Sequence, residues 1–243
     1  PVLGEASWND SLDLFVSAPD AITSYLFAAC AYRLARALEP LQEGTATQWR
    51  QAAGKAISFA EQTVNNIPAD HRWMNDLVDK RNLAALEAWL STGDETWHDL
   101  FQQTTIVDGP ETQLNKWYPQ TEGGWQRQLD AAFLYVIQDL LPGKPLLAGD
   151  MRRSILDYAS FALEFGRGNV YGFTKYDSQA NAAWGTLGAP QASHLAMAWW
   201  LTGNHAYYDA AAAASFLALG MNGDQISFTT GLAVYPGDAN NDG

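Results

Sequence analysis

The sequence predicts an all-α fold, an α/α toroid or solenoid of about eight helices that are paired as hairpins. One observation is that apolar residues recur at helical spacing through successive segments, and no segment shows convincing strand alternation. The other is a helix–turn–helix unit that occurs twice, at Thr92-Gly93-Asp94 and at Thr202-Gly203-Asn204. A hairpin unit that recurs within one chain is typical of stacked helical pairs rather than of a single bundle.

The first half of the chain predicts four helices that follow an irregular lead-in at residues 1–19. Asp20 is a suitable N-cap for the first helix, and Pro40 ends it. Cys30, the one cysteine of the sequence, lies inside this helix and is predicted to be a buried packing residue. Apolar periodicity then predicts three more helices, at residues 47–64, 71–90 and 95–104.

The second half alternates predicted helices with two long loops that are rich in glycine and aromatic residues. The loops cover residues 106–124 and 166–184, and long loops of this kind commonly carry binding residues. His194 lies within an apolar helical run and is predicted to be a hydrogen-bonded core histidine. The helices are predicted at residues 125–141, 146–165, 191–201 and 205–219.

Charge and composition narrow the classes of function. The formal charge of −13 leaves no basic patch to neutralise phosphates, which argues against nucleic acid as a partner. The apolar runs are too short to cross a bilayer, so no membrane contact is expected. Ten Trp, ten Tyr and ten Phe residues exceed what a core of Leu and Ala needs. Such rings either fill the core or form surfaces that stack on sugar rings.

Four segments carry a family resemblance. Leu219-Gly-Met-Asn222 and Ser227-Phe-Thr-Thr-Gly231 follow the pattern LG-x-N-P and S-[YF]-x-T-G, with Gly223 in place of the proline. Upstream, residues 79–94 resemble DE-x4-AA-x-LY-x-x-TGD, with Lys80 in place of the acid after Asp79, and Trp184-Gly-Thr-Leu is similar to a WGS-type turn. In this order and spacing they resemble the catalytic domains of glycoside hydrolase family 9, over about residues 4–231.

The resemblance implies an (α/α)6-barrel-like domain over residues 20–231 that is incomplete. Members of that family mostly cleave β-1,4-glucans with inversion, which needs one carboxylate on each side of the scissile bond. The family's paired-aspartate motif D-A-G-D does not occur in this sequence, and no His-rich segment follows Gly231. The resemblance therefore implies no catalytic residue in this chain, which corresponds to the C-terminal two thirds of an inverting β-1,4-glucanase. The alternative is a noncatalytic glycan-binding, structural or assembly protein.

Five residues are candidates for glycan binding. Trp117 and Tyr118 lie on the first long loop, and Trp125 follows Gly123-Gly124; each stacks on sugar or anchors its loop. For Trp184, the resemblance implies an aromatic residue that faces substrate. Asp79 lies inside a predicted helix and faces the barrel mouth or forms a surface ion pair with Lys80 or Arg81.

The last residues, 232–243, predict a linker and the start of a calcium loop. Asp238, Asn240 and Asp242, followed by Gly243, match the first half of an EF-hand-like loop. The segment also resembles the opening of a dockerin repeat, which implies Ca²⁺ and a cohesin-like scaffold as a partner; the alternative is a solvated acidic tail. No other cofactor is expected. The expected partners are a β-glucan, the rest of the same barrel or other chains, in an extracellular location.

Overall fold

The computed structural model describes residues 19–68, 74–117, 125–138, 145–168 and 192–218. Within these ranges the chain forms eight helices and one short antiparallel ribbon, which confirms the all-α prediction. The lead-in and the predicted calcium loop lie outside the described residues, so their boundaries stay predictions. The elements are α1 Ala21–Leu38, α2 Glu43–Val64, α3 Met74–Thr92, α4 Glu95–Thr104, β1 Asn115–Trp117, β2 Trp125–Arg127, α5 Leu129–Ile137, α6 Pro145–Arg167, α7 Ala192–Thr202 and α8 His205–Ala218.

The helices form two rows that follow the same arc. The inner row consists of α1, α3, α5 and α7, in which each helix packs against the next. The outer row consists of α2, α4, α6 and α8, each packed against the inner helix that precedes it in the chain. Over the described ranges α1 and α7 do not pack against each other. The arc is therefore open, as an incomplete toroid of helical hairpins requires.

Ion pairs join the first three helices to one another. Glu87 of α3 is fully buried and binds two guanidinium groups of α1, those of Arg33 and Arg36, with the Arg33 Nε atom 2.5 Å from its Oε1. Near the other end of the same helix, Arg81 donates to Glu61 of α2, with 2.7 Å between Nε and Oε1. These pairs join α1 to α3 and α2 to α3, and such paired geometry is what allows a buried carboxylate.

The two Thr-Gly-Asp/Asn turns have the same hydrogen bonds, as their shared sequence predicts. Gly93 and Gly203 have φ angles of 72° and 69°, and each donates its N–H to the carbonyl four residues earlier at 2.7 Å. The following Asp94 and Asn204 accept the N–H two residues later, at 3.0 and 3.1 Å. Left-handed glycine therefore ends one helix and a side-chain oxygen caps the next, which confirms both turns.

Three local expectations are wrong. The segment 106–124 is not a loop throughout, because β1 lies in it, and Trp125 does not start a helix, because β2 pairs with β1 and α5 starts only at Leu129. Gln126, Arg127 and Gln128 separate Trp125 from the apolar run of α5, and the pairing of β2 with β1 holds this segment in the ribbon. Cys30 is exposed rather than buried, since it lies on the open side of α1.

Candidate functional site

The arc has two faces, one at the C-terminal ends of the inner helices and one at their N-terminal ends. The connections between helices differ in length at these two ends. Short connections at residues 39–42, 93–94, 138–144 and 203–204 all join the C-terminal end of an inner helix to its outer partner. Longer connections at residues 65–73, 105–128 and 168–191 all lead into the N-terminal end of an inner helix. We call this second end the long-connection end. Binding residues concentrate on loops that a rigid scaffold presents, so this end is the candidate site.

Two of the four predicted aromatic residues lie at the long-connection end. Trp117 and Trp125 lie in the ribbon, whereas Tyr118 and Trp184 belong to connections at this end but lie outside the described residues. The structure therefore places Trp117 and Trp125 in one ribbon at this end. For all four aromatic residues, sugar binding stays a prediction.

The ribbon places the two described tryptophans opposite each other. Its register pairs Asn115 with Arg127, Lys116 with Gln126 and Trp117 with Trp125. The register continues to Leu114 and Gln128, whose N–H donates to the Leu114 carbonyl at 2.9 Å. Leu114 and Gln128 are therefore a hydrogen-bonded pair. Because pair types alternate along an antiparallel ladder, the Trp117–Trp125 pair is of the non-hydrogen-bonded type, in which the two Cα atoms are only about 4.5 Å apart.

Asp79 of α3 binds the base of the ribbon. The same alternation makes Asn115–Arg127 a non-hydrogen-bonded pair, so the Arg127 N–H points away from the other strand. The Asp79 Oδ2 atom accepts this N–H. The Asp79 side chain is only 2 % exposed, which shows that the surface ion pair with Lys80 or Arg81 is wrong. Arg81 instead pairs with Glu61.

Gln128 joins the two ends of the connection at residues 105–128 by hydrogen bonds. Its side chain is 1 % exposed, and its Oε1 atom accepts the Ile106 N–H and the Thr105 hydroxyl, both at 3.2 Å. Since its backbone also bonds Leu114, a single residue joins the start, the middle and the end of this connection. No local pattern points to Gln128 in the sequence, because its partners lie far upstream.

At the base of the ribbon, the side chains of Asp79 and Gln128 each have a buried polar atom that makes no hydrogen bond. Burial raises the pKa of Asp79 to about 6, against the opposing effects of the Arg127 N–H, the Gln128 amide and Lys80; the charge of Asp76 adds to the rise. The Asp79 Oδ1 acceptor and the Gln128 Nε2 donor are both buried here. The Gln128 amide lies close enough to lower the pKa of Asp79, but neither atom has a partner within hydrogen-bond geometry. An unsatisfied buried carboxylate oxygen is costly, and such groups occur more often at functional sites than elsewhere.

His194 lies in the first turn of α7, also at the long-connection end. Its ring is buried against Tyr158, with 4.3 Å between ring centroids, and burial lowers its pKa to about 4. Neither ring nitrogen has a hydrogen-bond partner, so the core position is confirmed and the expected hydrogen bond is wrong for the described residues. Burial therefore keeps this imidazole neutral at pH 7.

The calcium prediction falls on residues outside the described ranges, at Asp238, Asn240 and Asp242. In the ranges that are described, no cluster of three or more His, Cys, Asp or Glu side chains has the arrangement of a metal site. Over the same ranges no helix is both long and apolar enough to cross a membrane. The Ca²⁺ ion and the cohesin-like scaffold stay predictions.

Comparison with known proteins identifies the fold. No protein-family model and no curated protein matches the chain. Among solved structures it is similar to the glycoside hydrolase family 9 endoglucanase J30, with a TM-score of 0.68 and 21% identity over 88% of this chain and 40% of that one. A family 9 protein of Bacteroides ovatus gives a TM-score of 0.68 at 19% identity, over 90% of this chain and 42% of that one.

A metagenome-derived family 9 endoglucanase gives a TM-score of 0.65 at 21% identity, over 88% of this chain and 39% of that one. The chain thus spans about two fifths of the length of the solved structures it matches, less than the two thirds that its motifs implied. About three fifths of each solved chain therefore lies outside the matched region, whereas the motifs indicated about one third. The chain has the fold of the matched part of these family 9 structures, an arc of α/α hairpins.

Proposed function

We propose that this chain is part of a β-glucan-active α/α barrel and that its long-connection end binds β-1,4-linked glucan. The observation that carries the proposal is the Trp117–Trp125 pair of the ribbon, at the same end as the connection that contains Trp184. An antiparallel ladder places two directly opposed residues on one face of the ribbon. Tryptophan is a residue type that stacks on the apolar faces of the sugar rings of a glucan chain.

The electrostatics suit an uncharged ligand. A formal charge of −13 repels phosphorylated or acidic polymers but has no such effect on a neutral glucan. A polymer of this kind is reached outside the cell, so we also propose an extracellular location. The similarity to family 9 endoglucanases supports the glucan part of the proposal.

We assign the hydrolytic step to a longer polypeptide that contains this arc. An inverting mechanism needs two carboxyl groups about 6.5–9.5 Å apart, on either side of a bound sugar. Asp79 does not have that arrangement, because its side chain is buried and its Oδ2 atom binds the Arg127 backbone. We therefore propose that Asp79 contributes to glycan binding by supporting the ribbon rather than by touching sugar.

The test is the affinity of the chain for a soluble β-1,4-glucan oligosaccharide, measured by titration calorimetry. Trp117→Ala should weaken binding by about fivefold, since a single aromatic contact contributes about 1 kcal/mol. Trp200→Ala is the matched control, because Trp200 is 68 % exposed on α7 near the opposite end of the arc. Its affinity should equal that of the unchanged protein.

The result that contradicts the proposal is an unchanged protein without measurable affinity, or an equal loss in the two variants. Release of reducing ends is measured in the same samples. Binding without release agrees with an arc that lacks the catalytic carboxyl groups, or with the noncatalytic glycan-binding alternative. Release by this chain alone would contradict the assignment of hydrolysis to a longer polypeptide.

A further inference from the structure

We infer that Asp79 is a positioning residue that holds the ribbon, and with it the Trp117–Trp125 pair, in place for glycan binding. The inference rests on the proposed function. It concerns a single contact, between the Asp79 carboxylate of α3 and the Arg127 N–H of β2.

The ribbon needs support from outside itself. It has three pairs of residues, and an isolated two-stranded hairpin is at best marginally stable in water. Arg127 lies two residues from Trp125, so a contact that fixes Arg127 also fixes the neighbouring pairs of the ladder. The ribbon therefore takes its position from the body of the arc.

Asp79 is suited to this role because it lies on a rigid inner helix. The side chain is 2 % exposed, and α3 packs against both α1 and α5. The Arg127 N–H that it accepts is the donor at the outer edge of β2, which the ladder leaves unused. A carboxylate that binds a backbone N–H forms one of the stronger hydrogen bonds in proteins. The contact thus links the ribbon to α3 without interrupting the ladder.

The cost of this arrangement argues that the contact has a role beyond stability. A buried carboxyl group with one oxygen unpaired destabilises the fold relative to a well-packed apolar side chain. The body of α3 does not need it, because Glu87 and Arg81 already bind α3 to its neighbours. Asp79 supplies a hydrogen bond from α3 to the ribbon.

The test compares Asp79→Ala, Asp79→Asn and a matched control, Glu87→Ala. Glu87 is a second buried acid of the same helix, but its partners are Arg33 and Arg36 of α1, away from the ribbon. Asp79→Ala deletes the acceptor, whereas Asp79→Asn keeps one oxygen that accepts the Arg127 N–H. All variants are compared well below their melting temperatures, so that every sample is folded.

The first measurement is amide hydrogen exchange of a peptide that covers residues 112–128, which requires no ligand. We expect Asp79→Ala to speed exchange there by about tenfold or more, since a lost buried hydrogen bond is of that size. We expect Asp79→Asn to stay within about threefold of the unchanged protein. Glu87→Ala should lower the melting temperature without a specific effect on this peptide.

The second measurement is the affinity for the soluble β-1,4-glucan oligosaccharide. We expect about tenfold weaker binding by Asp79→Ala, recovery by Asp79→Asn and no change in Glu87→Ala. If the unchanged protein binds no glucan, the proposed function fails, while faster exchange confined to residues 112–128 still supports the role of Asp79 as a support.

A further variant, Arg127→Pro, removes the same hydrogen bond from its donor side, and proline is tolerated where an edge N–H points away from the ladder. This variant replaces Asp79→Ala in the test if Asp79→Ala does not fold. We expect it to speed amide exchange of the peptide at residues 112–128 by the same factor of about ten or more. The inference is overturned if the ribbon exchanges normally without this bond, or if Glu87→Ala changes ribbon exchange and affinity as much as Asp79→Ala does.

Discussion

At the scale of single residues, two buried acids of α3 show how differently the fold accommodates charge. Glu87 has two guanidinium partners on α1, so its charge is balanced within the arc. Asp79 has a backbone N–H and one unpaired oxygen, and its pKa is raised to about 6 mainly by burial. Sequence reasoning identified Asp79 as a site candidate but not its environment, because its partner Arg127 is distant in the chain.

The raised pKa of Asp79 predicts that stability falls as pH rises from about 4 to about 6. In this window the folded protein retains a proton on Asp79 that the unfolded chain, with the ordinary aspartate pKa of 3.8, has lost. The free energy of unfolding should decrease by about 2–3 kcal/mol from this group. Asp79→Asn lacks the effect, so its stability relative to the unchanged protein should increase over the same window in urea titrations.

Asp157→Asn is the control for this pH dependence. Its carboxylate lies on α6 and is 62% exposed, so the substitution should leave the slope of stability against pH unchanged. An equal slope in Asp79→Asn and in the unchanged protein would show that Asp79 ionises normally in the fold.

At the scale of elements, local sequence determines the hairpin turns but not the ribbon. Each Thr-Gly-Asp/Asn turn places its caps within a few residues, so the hydrogen bonds that end one helix and start the next follow from the sequence itself. The ribbon depends on Leu114, Gln128 and Asp79, which meet only when α3, α4 and α5 have packed. Apolar periodicity contains no such information, and it extended α5 back to Trp125.

The two turn glycines predict a pair of matched substitutions. Gly93→Ala and Gly203→Ala should each lower the free energy of unfolding by about 1 kcal/mol, because L-residues are strained at positive φ. Added Cβ atoms meet nothing within 4 Å at either position, so the effect is one of backbone conformation alone. Denaturant titration measures it.

Gly149→Ala is the matched control for the turn glycines. Gly149 lies in the exposed face of α6, where an added Cβ also meets nothing within 4 Å. Alanine should there increase stability by up to about 1 kcal/mol, the opposite sign. Similar changes at all three positions would show that the turns do not require left-handed glycine.

At the scale of the whole molecule, the arc has an open apolar edge at α1, which is what we expect of part of a larger ring. Leu26, Phe27 and Leu34 are 38–45% exposed there beside the exposed Cys30, with the Phe27 ring 6.3 Å from that of Trp49 of α2 between centroids. A contiguous apolar face of this kind is unusual for a complete monomeric domain. The edge agrees with the proposal that the chain belongs to a longer barrel.

The open edge predicts that the isolated chain binds a hydrophobic fluorescent dye in its folded state. The double variant Leu26→Gln/Phe27→Gln should lose most of this signal, because it interrupts the apolar face of α1. Leu41→Gln is the control, since Leu41 is the most exposed of the large apolar side chains described but lies in a turn beyond α1. Equal dye binding by all three proteins would place the apolar surface elsewhere.

The sequence by itself determined the helices, the two capped turns and the all-α class, because helical periodicity and capping act over a few residues. It also determined which aromatic residues belong to long connections. The tertiary structure decided that these connections share one end of the arc, that Trp117 lies opposite Trp125, and that Asp79 and Gln128 are buried beneath them. These facts depend on the packing of alternate helices and on strand register, which bring together residues that are far apart in the chain.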